Sequence, residues 1–259
     1  MQITKAVIPA AGLGTRLRPV TDVLPKELLP VVTKPSLYLV LEEALKSGLK
    51  EIILVVSPAK KSFFEHLKEV FPKLAFQFVI QKEPKGLGHA VLMADQAVGP
   101  NPFMILLPDI IIDHPKPVCL QLIKVFQKIN RSVNATERVP RDQVSLYGVY
   151  EMASREGRLH KAKRVVEKPP PEKALSDFVV TGRYLFTPDI FEVLKKTPPG
   201  RNGEIQLADA MNTLAGRGEL YAYEFEGLHM DIGNPVGLIR ANIYFGKKEY
   251  GKSIYQGLV

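Results

Sequence analysis

One stretch restricts the fold of this chain more than any other. The apolar run Ala6-Val7-Ile8-Pro9 feeds into Ala10-Ala11-Gly12-Leu13-Gly14-Thr15-Arg16-Leu17-Arg18-Pro19, and Pro25-Lys26-Glu27-Leu28-Leu29-Pro30 follows. A strand ending in a glycine-rich, cation-bearing loop reads as a phosphate cradle. Gly12 and Gly14 leave no side chain between backbone N–H groups and an incoming anion, while Arg16, Arg18 and Lys26 supply fixed positive charge. Spacing excludes two familiar cradles. A dinucleotide-binding loop needs a third Gly or Ala where Leu17 stands, and a Walker A loop needs Lys and then Ser or Thr where Thr15 and Arg16 stand.

The segments after the loop alternate. Pro35 to Leu45 carries apolar residues at helical spacing with Gly48 as its cap, Glu51 to Val56 is a short β-branched run, residues 60–70 read as a helix, and Phe76 to Ile80 as a strand. Alternation implies parallel strands with crossover helices, hence an open twisted α/β sheet whose ligands bind beyond the carboxyl ends of its strands. That rule delivers Gln81 to Ala90 to the ligand edge. The Gln81 amide is both donor and acceptor, and Gly86 lets a ring edge approach the backbone, so both are candidates for reading a base. His89, alone at a helix start, reads as a packing or capping residue.

A helix to about Val98 leads to the strand Phe103 to Leu107, whose exit carries Asp109. A carboxylate there suits either a turn after Pro108 or Mg2+, which takes few protein oxygens. Asp113 is a weaker candidate for the same ion. A helix over 117–130 precedes a strand-rich region at 133–139, 145–152, 163–167 and 178–186. Two helices, one after Asp189 and one ending near Gly216, lead to a strand at 220–225. Asn234 and Pro235 supply the N-cap and first position of a last helix, which leaves Asp231 free for other work.

The run from Gly12 to Leu17, with Pro25 to Pro30, resembles the signature of the nucleotidyltransferases that make sugar nucleotides, and Lys85-Gly86-Leu87-Gly88-His89-Ala90 resembles their uridylyltransferase branch. The resemblance spans nearly the whole chain. Leu107-Pro108-Asp109, Tyr147-Gly148-Val149, Glu167-Lys168-Pro169, Thr181-Gly182-Arg183-Tyr184 and Gly203-Glu204-Ile205-Gln206-Leu207 carry it onward in order. It implies a Rossmann-like, mostly parallel mixed sheet flanked by helices, with a strand-rich sugar-binding portion. By resemblance, Ala11, Gly12, Gly14, Gln81 and Gly86 hold the nucleotide, and Gly148, Glu167 and Gly182 hold the sugar. Lys168 would bind the sugar phosphate, Arg16 and Lys26 the leaving pyrophosphate, and Asp109 and Asp231 a Mg2+ ion.

The implied reaction is Mg2+-dependent transfer of UMP from UTP to α-D-glucose 1-phosphate. Two alternatives stay open. The first is the same reaction with dTTP, since uracil and thymine differ by one methyl, worth about 1–3 kcal/mol in a pocket. The second is a non-catalytic nucleotide-sugar-binding protein on the same fold. Three features depart from the uridylyltransferase pattern: Pro235 stands where Lys is usual, the interval from Val56 to Gln81 is short, and Leu17 to Asp22 leans toward the wider superfamily, thymidylyltransferases included.

At 259 residues the chain is expected to form a single domain over 1–259, with 1–115 the nucleotide-binding portion and 116–259 the sugar-phosphate portion. A formal charge of +8 suits a handler of anions, but its clusters lack aromatic stacking, helix-turn-helix or zinc spacing, so no nucleic-acid partner is expected. No apolar run approaches a membrane span, and no basic-then-apolar leader precedes the first strand, so a cytoplasmic enzyme without a membrane partner is expected. A homo-oligomer is expected. The single Cys119, in an apolar helical stretch, reads as a buried inert thiol.

Overall fold

The computed structural model describes residues 2–200, 203–251 and 253. Its first part comprises β1 (Lys5–Pro9), β2 (Pro30–Val31), β3 (Lys34–Pro35), α1 (Ser36–Lys46), β4 (Glu51–Val56), α2 (Lys61–Phe64), α3 (Leu67–Val70), β5 (Ala75–Ile80), α4 (Leu87–Met93), α5 (Asp95–Val98), β6 (Phe103–Leu106) and β7 (Ile110–Asp113). There follow α6 (Val118–Ile129), β8 (Ser132–Arg138), β9 (Gly148–Glu156), β10 (Leu159–Glu167), β11 (Phe178–Phe186), α7 (Asp189–Lys196), α8 (Leu207–Gly216), β12 (Leu220–Glu224), β13 (Leu228–Asp231) and α9 (Pro235–Tyr250).

Nine strands form one sheet in the order β5-β4-β1-β6-β11-β8-β12-β10-β9. The first four are parallel, and β11 enters antiparallel to both β6 and β8. β12 is parallel to β8, and β10 is antiparallel to both of its neighbours. Only β10 and β11 therefore run against the rest, which makes the sheet mixed but mostly parallel.

Helices cover both faces, so strands such as Phe103-Met104-Ile105-Leu106 are apolar at every position. Successive side chains point to opposite faces. Ile8, Leu54 and Leu106 accordingly pack with Leu37 and Leu41 of α1 and Leu122 and Phe126 of α6. Val7, Ile53 and Ile105 pack with Val91 of α4, Phe191 of α7 and Met211 of α8. Cys119 lies fully buried in the first of these layers, and burial pushes its thiol pKa well up.

Several local expectations are revised. The helix expected over 60–70 is two short turns, α2 and α3, which bury Phe64 and Leu67 and leave Phe63 and Val70 half exposed. Ser145 and Leu146 belong to a 3-10 turn, Arg141–Leu146, held down by buried Val144, and strand β9 starts only at Gly148. The β9–β10 hairpin runs further out than its apolar residues suggest, because Met152 to Glu156, mostly exposed, pair with Leu159 to Ala162, whose His160 and Ala162 are buried against the rest of the sheet. Four short strands were not legible as such: β2 and β3 form a two-stranded antiparallel ribbon, with Pro35 in β3 and not in α1, and β7 and β13 form another, registered from Leu228↔Asp113 to Asp231↔Ile110. Among the described residues, no helix is long and apolar enough to cross a membrane.

Candidate active site

Apart from Arg18 and Asp113, the residues expected at the site line one of two neighbouring cavities beyond the strand ends. The first, of about 490 Å3, is lined by Ala11, Gly12, Gly14, Lys26, Gln81, Gly86 and Asp109. The second, of about 310 Å3, is lined by Arg16, Asp109, Gly148, Glu167, Lys168, Gly182 and Asp231. Leu87, Leu107, Asp109 and Glu204 belong to both. The two chambers thus meet at Asp109.

The first chamber is floored by the loop after β1. Among the described residues, the backbone N–H groups of Ala11 through Thr15 have no hydrogen-bond partner. Free N–H groups on a glycine-rich turn form an anion-binding nest. Gly14 is left-handed at φ 69, and a Cβ there would press on Thr21 and Lys26 at 3.2 and 3.3 Å. Thr21 Oγ1 closes the turn by donating to the Gly14 carbonyl at 2.9 Å. Arg18 lines neither chamber and pairs instead with Asp22 at 3.0 Å.

Gln81 is buried in the wall of this chamber, its Nε2 2.8 Å from His89 Nδ1 and 3.4 Å from the Gly86 carbonyl. Burial and the nearby Lys85 lower the His89 pKa, so a neutral ring can accept from the amide. The Gln81 carbonyl oxygen then remains as the group able to accept a ligand N–H. Sequence reasoning treated His89 as structural, and its structural part is to orient Gln81.

The carboxylates come from two strand ends. Asp109 lies between β6 and β7, and Asp231 ends β13, so the β7–β13 ribbon sets Asp231 opposite Ile110. The Ile232 N–H donates to the Asp109 carbonyl at 2.9 Å. A Cβ built on Gly233 would lie 2.7 Å from Asp109 Oδ2, 2.9 Å from Arg16 Nη2 and 3.0 Å from Asp231 Oδ1, so all three groups converge on one point. Two hard oxygens from separate strands fit a Mg2+ ion, which leaves its other positions to water and phosphate. Among the described residues there is no cluster of three or more His, Cys, Asp or Glu that could hold a metal.

Lys26 Nζ lies 2.5 Å from Asp109 Oδ2. Burial opposes both charges, but the neighbouring groups together outweigh it: Asp109 and Glu27 raise the Lys26 pKa, and Lys26, a backbone hydrogen bond and Arg16 lower that of Asp109. Lys26 therefore stands as an ammonium at the junction of the chambers, and Arg16, expected with it on pyrophosphate, lies on the side of the second chamber. The helix-cap reading of Asn234 holds, since its side chain accepts from the Gly237 N–H at 2.9 Å. Asp231 is not idle, because its Oδ1 accepts from the Gly233 N–H at 2.8 Å.

In the second chamber, Glu167 at the end of β10 sits opposite Gly148 of β9. A Cβ on Gly148 would lie 3.2 Å from Glu167 Oε2, so the glycine makes room for that carboxylate. Lys168 is left-handed at φ 44, and its half-exposed ammonium is 3.5 Å from Glu167 Oε1. Gly182, at φ 73, forms an irregularity in β11, where a Cβ would strike Ile110 Cγ1 at 2.8 Å. The left-handed backbone and the close packing on Ile110 both demand glycine there.

Two supports escaped sequence reasoning. Arg183, fully buried, donates to the Leu107 and Ile110 carbonyls at 3.1 and 2.8 Å and pairs with Glu43 of α1 at 2.9 Å, so it holds both sides of the Asp109 turn. Glu204 reaches both chambers because Ile205 exchanges backbone hydrogen bonds with Lys85 and Gly88 at 2.9 and 2.8 Å. Its signal in the sequence is the Gly203 to Leu207 motif.

The family described as nucleotidyl transferase matches residues 5–247. The chain is 37% identical over 270 residues to the UTP--glucose-1-phosphate uridylyltransferase of Bacillus subtilis (strain 168), covering 96% of this chain and 92% of that one. It is 39% identical over 274 residues to the enzyme of the same name from Streptococcus pneumoniae serotype 4, covering 95% and 91%. A UDP-glucose pyrophosphorylase solved with UDP-glucose superposes with a TM-score of 0.90 at 39% identity, covering 96% of this chain and 100% of that one. A UTP-bound UGPase from Acinetobacter baumannii superposes with a TM-score of 0.86 at 32% identity, covering 98% of each chain. With two chambers meeting at a carboxylate pair and a family match that runs almost from end to end, the chain belongs to the nucleotidyl transferase family and is a nucleotidyltransferase.

Proposed function

We propose that the protein transfers UMP from UTP to α-D-glucose 1-phosphate, releasing pyrophosphate and UDP-glucose. The observation that carries this reading is the meeting of an anion nest and a Glu-Lys chamber at one carboxylate pair. The nest and Lys26 hold the triphosphate, Gln81 and the Gly86 backbone read the base, and Glu167 with the Gly148 backbone receives sugar hydroxyls. Lys168 draws in the sugar phosphate, and Arg16 and Lys26 stabilise the departing pyrophosphate. The attacking phosphate oxygen is already anionic and needs no general base, so the protein's work is to align two polyanions and offset their repulsion. Asp109 and Asp231 would hold Mg2+, which when bound supplies further charge neutralisation between the phosphates.

With Gln81 Nε2 turned to His89, the amide oxygen accepts the N3–H of uracil or thymine, whereas cytosine N3 is itself an acceptor. A buried mismatch of that kind costs a few kcal/mol. Pyrophosphate release measured across UTP, dTTP, CTP and ATP with several sugar 1-phosphates tests the reading. UTP with glucose 1-phosphate should be turned over best and CTP not at all; comparable rates with CTP would overturn the base assignment, and no turnover with any pair would overturn the reaction.

A further inference from the structure

The nest has a back as well as a front. The free N–H groups of Ala11 through Thr15 belong to residues that line the first chamber, yet a loop containing Gly12 and Gly14 has wide freedom to rotate its peptide planes. Something must choose their orientation. Lys60, just beyond β4 and not among the residues lining either chamber, donates Nζ to the Gly12 carbonyl at 2.6 Å and to the Ala10 carbonyl at 3.2 Å. Its charge is met by Glu27, whose carboxylate oxygens lie at 3.0 and 3.3 Å.

A trans peptide points its carbonyl and its N–H in opposite directions. Holding the carbonyls of Ala10 and Gly12 therefore turns the N–H groups of Ala11 and Leu13 away from Lys60. We infer that Lys60 is a positioning residue for the triphosphate, gripping the back of the loop so that its N–H groups are already aimed at the anion before it arrives. This inference rests on the proposed reaction, in which the first chamber takes a nucleoside triphosphate. Pre-orientation saves the ordering cost that a mobile loop would otherwise carry into binding. Glu27 has the complementary part: it is fully buried in the Pro25 to Pro30 segment and ties Lys60 to the element that also bears Lys26.

The test separates the nest from the rest of the site by using probes that touch one part each. The full chain, Lys60→Met, Lys60→Arg and the double variant Glu27→Gln/Lys60→Met are titrated calorimetrically, in magnesium-containing buffer, with inorganic tripolyphosphate, uridine and glucose 1-phosphate. The double variant guards against misfolding, since Lys60→Met alone strands a buried carboxylate whose pKa burial already pushes up. Tripolyphosphate affinity should fall at least tenfold in Lys60→Met and in the double variant, recover largely in Lys60→Arg, and leave uridine and glucose 1-phosphate within about twofold of the parent. Unchanged tripolyphosphate affinity in the double variant would overturn the inference. Equal loss for all three probes, or a double variant that does not fold, would also overturn it by making Lys60 a general scaffold residue. A parent chain that binds neither uridine nor tripolyphosphate would defeat the proposed reaction itself, and this inference with it.

Discussion

Gly233 carries no side chain, and the chemistry converges on the room this leaves. Asp109, Asp231 and Arg16 all approach within 3.0 Å of where its Cβ would stand. Gly233→Ala should therefore cut kcat by about 10²-fold or more, equivalent to about 2.7 kcal/mol of transition-state stabilisation, while the melting temperature moves little; steady-state kinetics beside a thermal melt would check both. Gly237 is a different case. A Cβ there would sit 1.8 Å from the Asp231 carbonyl, so its absence is what lets α9 dock against the end of β13. Asp231→Asn probes the charge alone, because an amide oxygen can still accept from the Gly233 N–H. Its turnover should drop about 10²-fold with a raised Mg2+ requirement and an unaltered fold, read from a Mg2+ titration of the rate. Full activity at ordinary Mg2+ would remove Asp231 from the site.

At the scale of elements, the β7–β13 ribbon and α9 behave as one strap across the carboxylate pair. Asp113, a weaker metal candidate on sequence, instead fastens this strap: its Oδ2 accepts from Tyr244 Oη at 2.7 Å and Lys248 Nζ at 2.5 Å. Burial works against the Asp113 carboxylate, but the Lys248 and Tyr244 hydrogen bonds, together with the charges of Lys248 and His114, outweigh it and hold its pKa below the ordinary 3.8. A carboxyl with a depressed folded pKa stabilises the fold fully above its unfolded pKa, and that contribution fades as pH falls through the folded value. Asp113→Asn should thus melt about 2–4 °C lower at pH 7, what about 1 kcal/mol is worth in a chain of this size, and the difference should close well below pH 3.8. Melting curves from pH 7 down to pH 3 would show it; a gap that persists at the acid end would mean that the contact acts through packing and not through charge.

The whole molecule is joined by its sheet. β6 from the first portion pairs with β11 from the second from Phe103 to Leu106, and the fully buried Arg183 of β11 reaches back to Glu43 of α1. A seam of shared backbone hydrogen bonds and a buried ion pair leaves neither portion with a core of its own edge to edge, so the chain should unfold as a single domain. Differential scanning calorimetry should give one transition with matching calorimetric and van't Hoff enthalpies, and two separable transitions would divide it. Much of this was legible along the chain. Short continuous apolar runs and apolar spacing near four specify the parallel half, because strand and helix burial is a local pattern, and the nest was readable because glycine and fixed charge act within a few consecutive residues. The β7–β13 ribbon was not legible, since its four-residue strands pair across more than a hundred positions, from Asp113 to Leu228. Nor was the Arg183–Glu43 pair, or the grip of Lys60 on the back of the nest. What the sequence determined by itself is which residue types can handle phosphate and where the strands that present them end. The relative placement of those ends comes from the folded chain, because the convergence of Asp109, Asp231 and Arg16 on Gly233 depends on non-local pairing that no local pattern encodes.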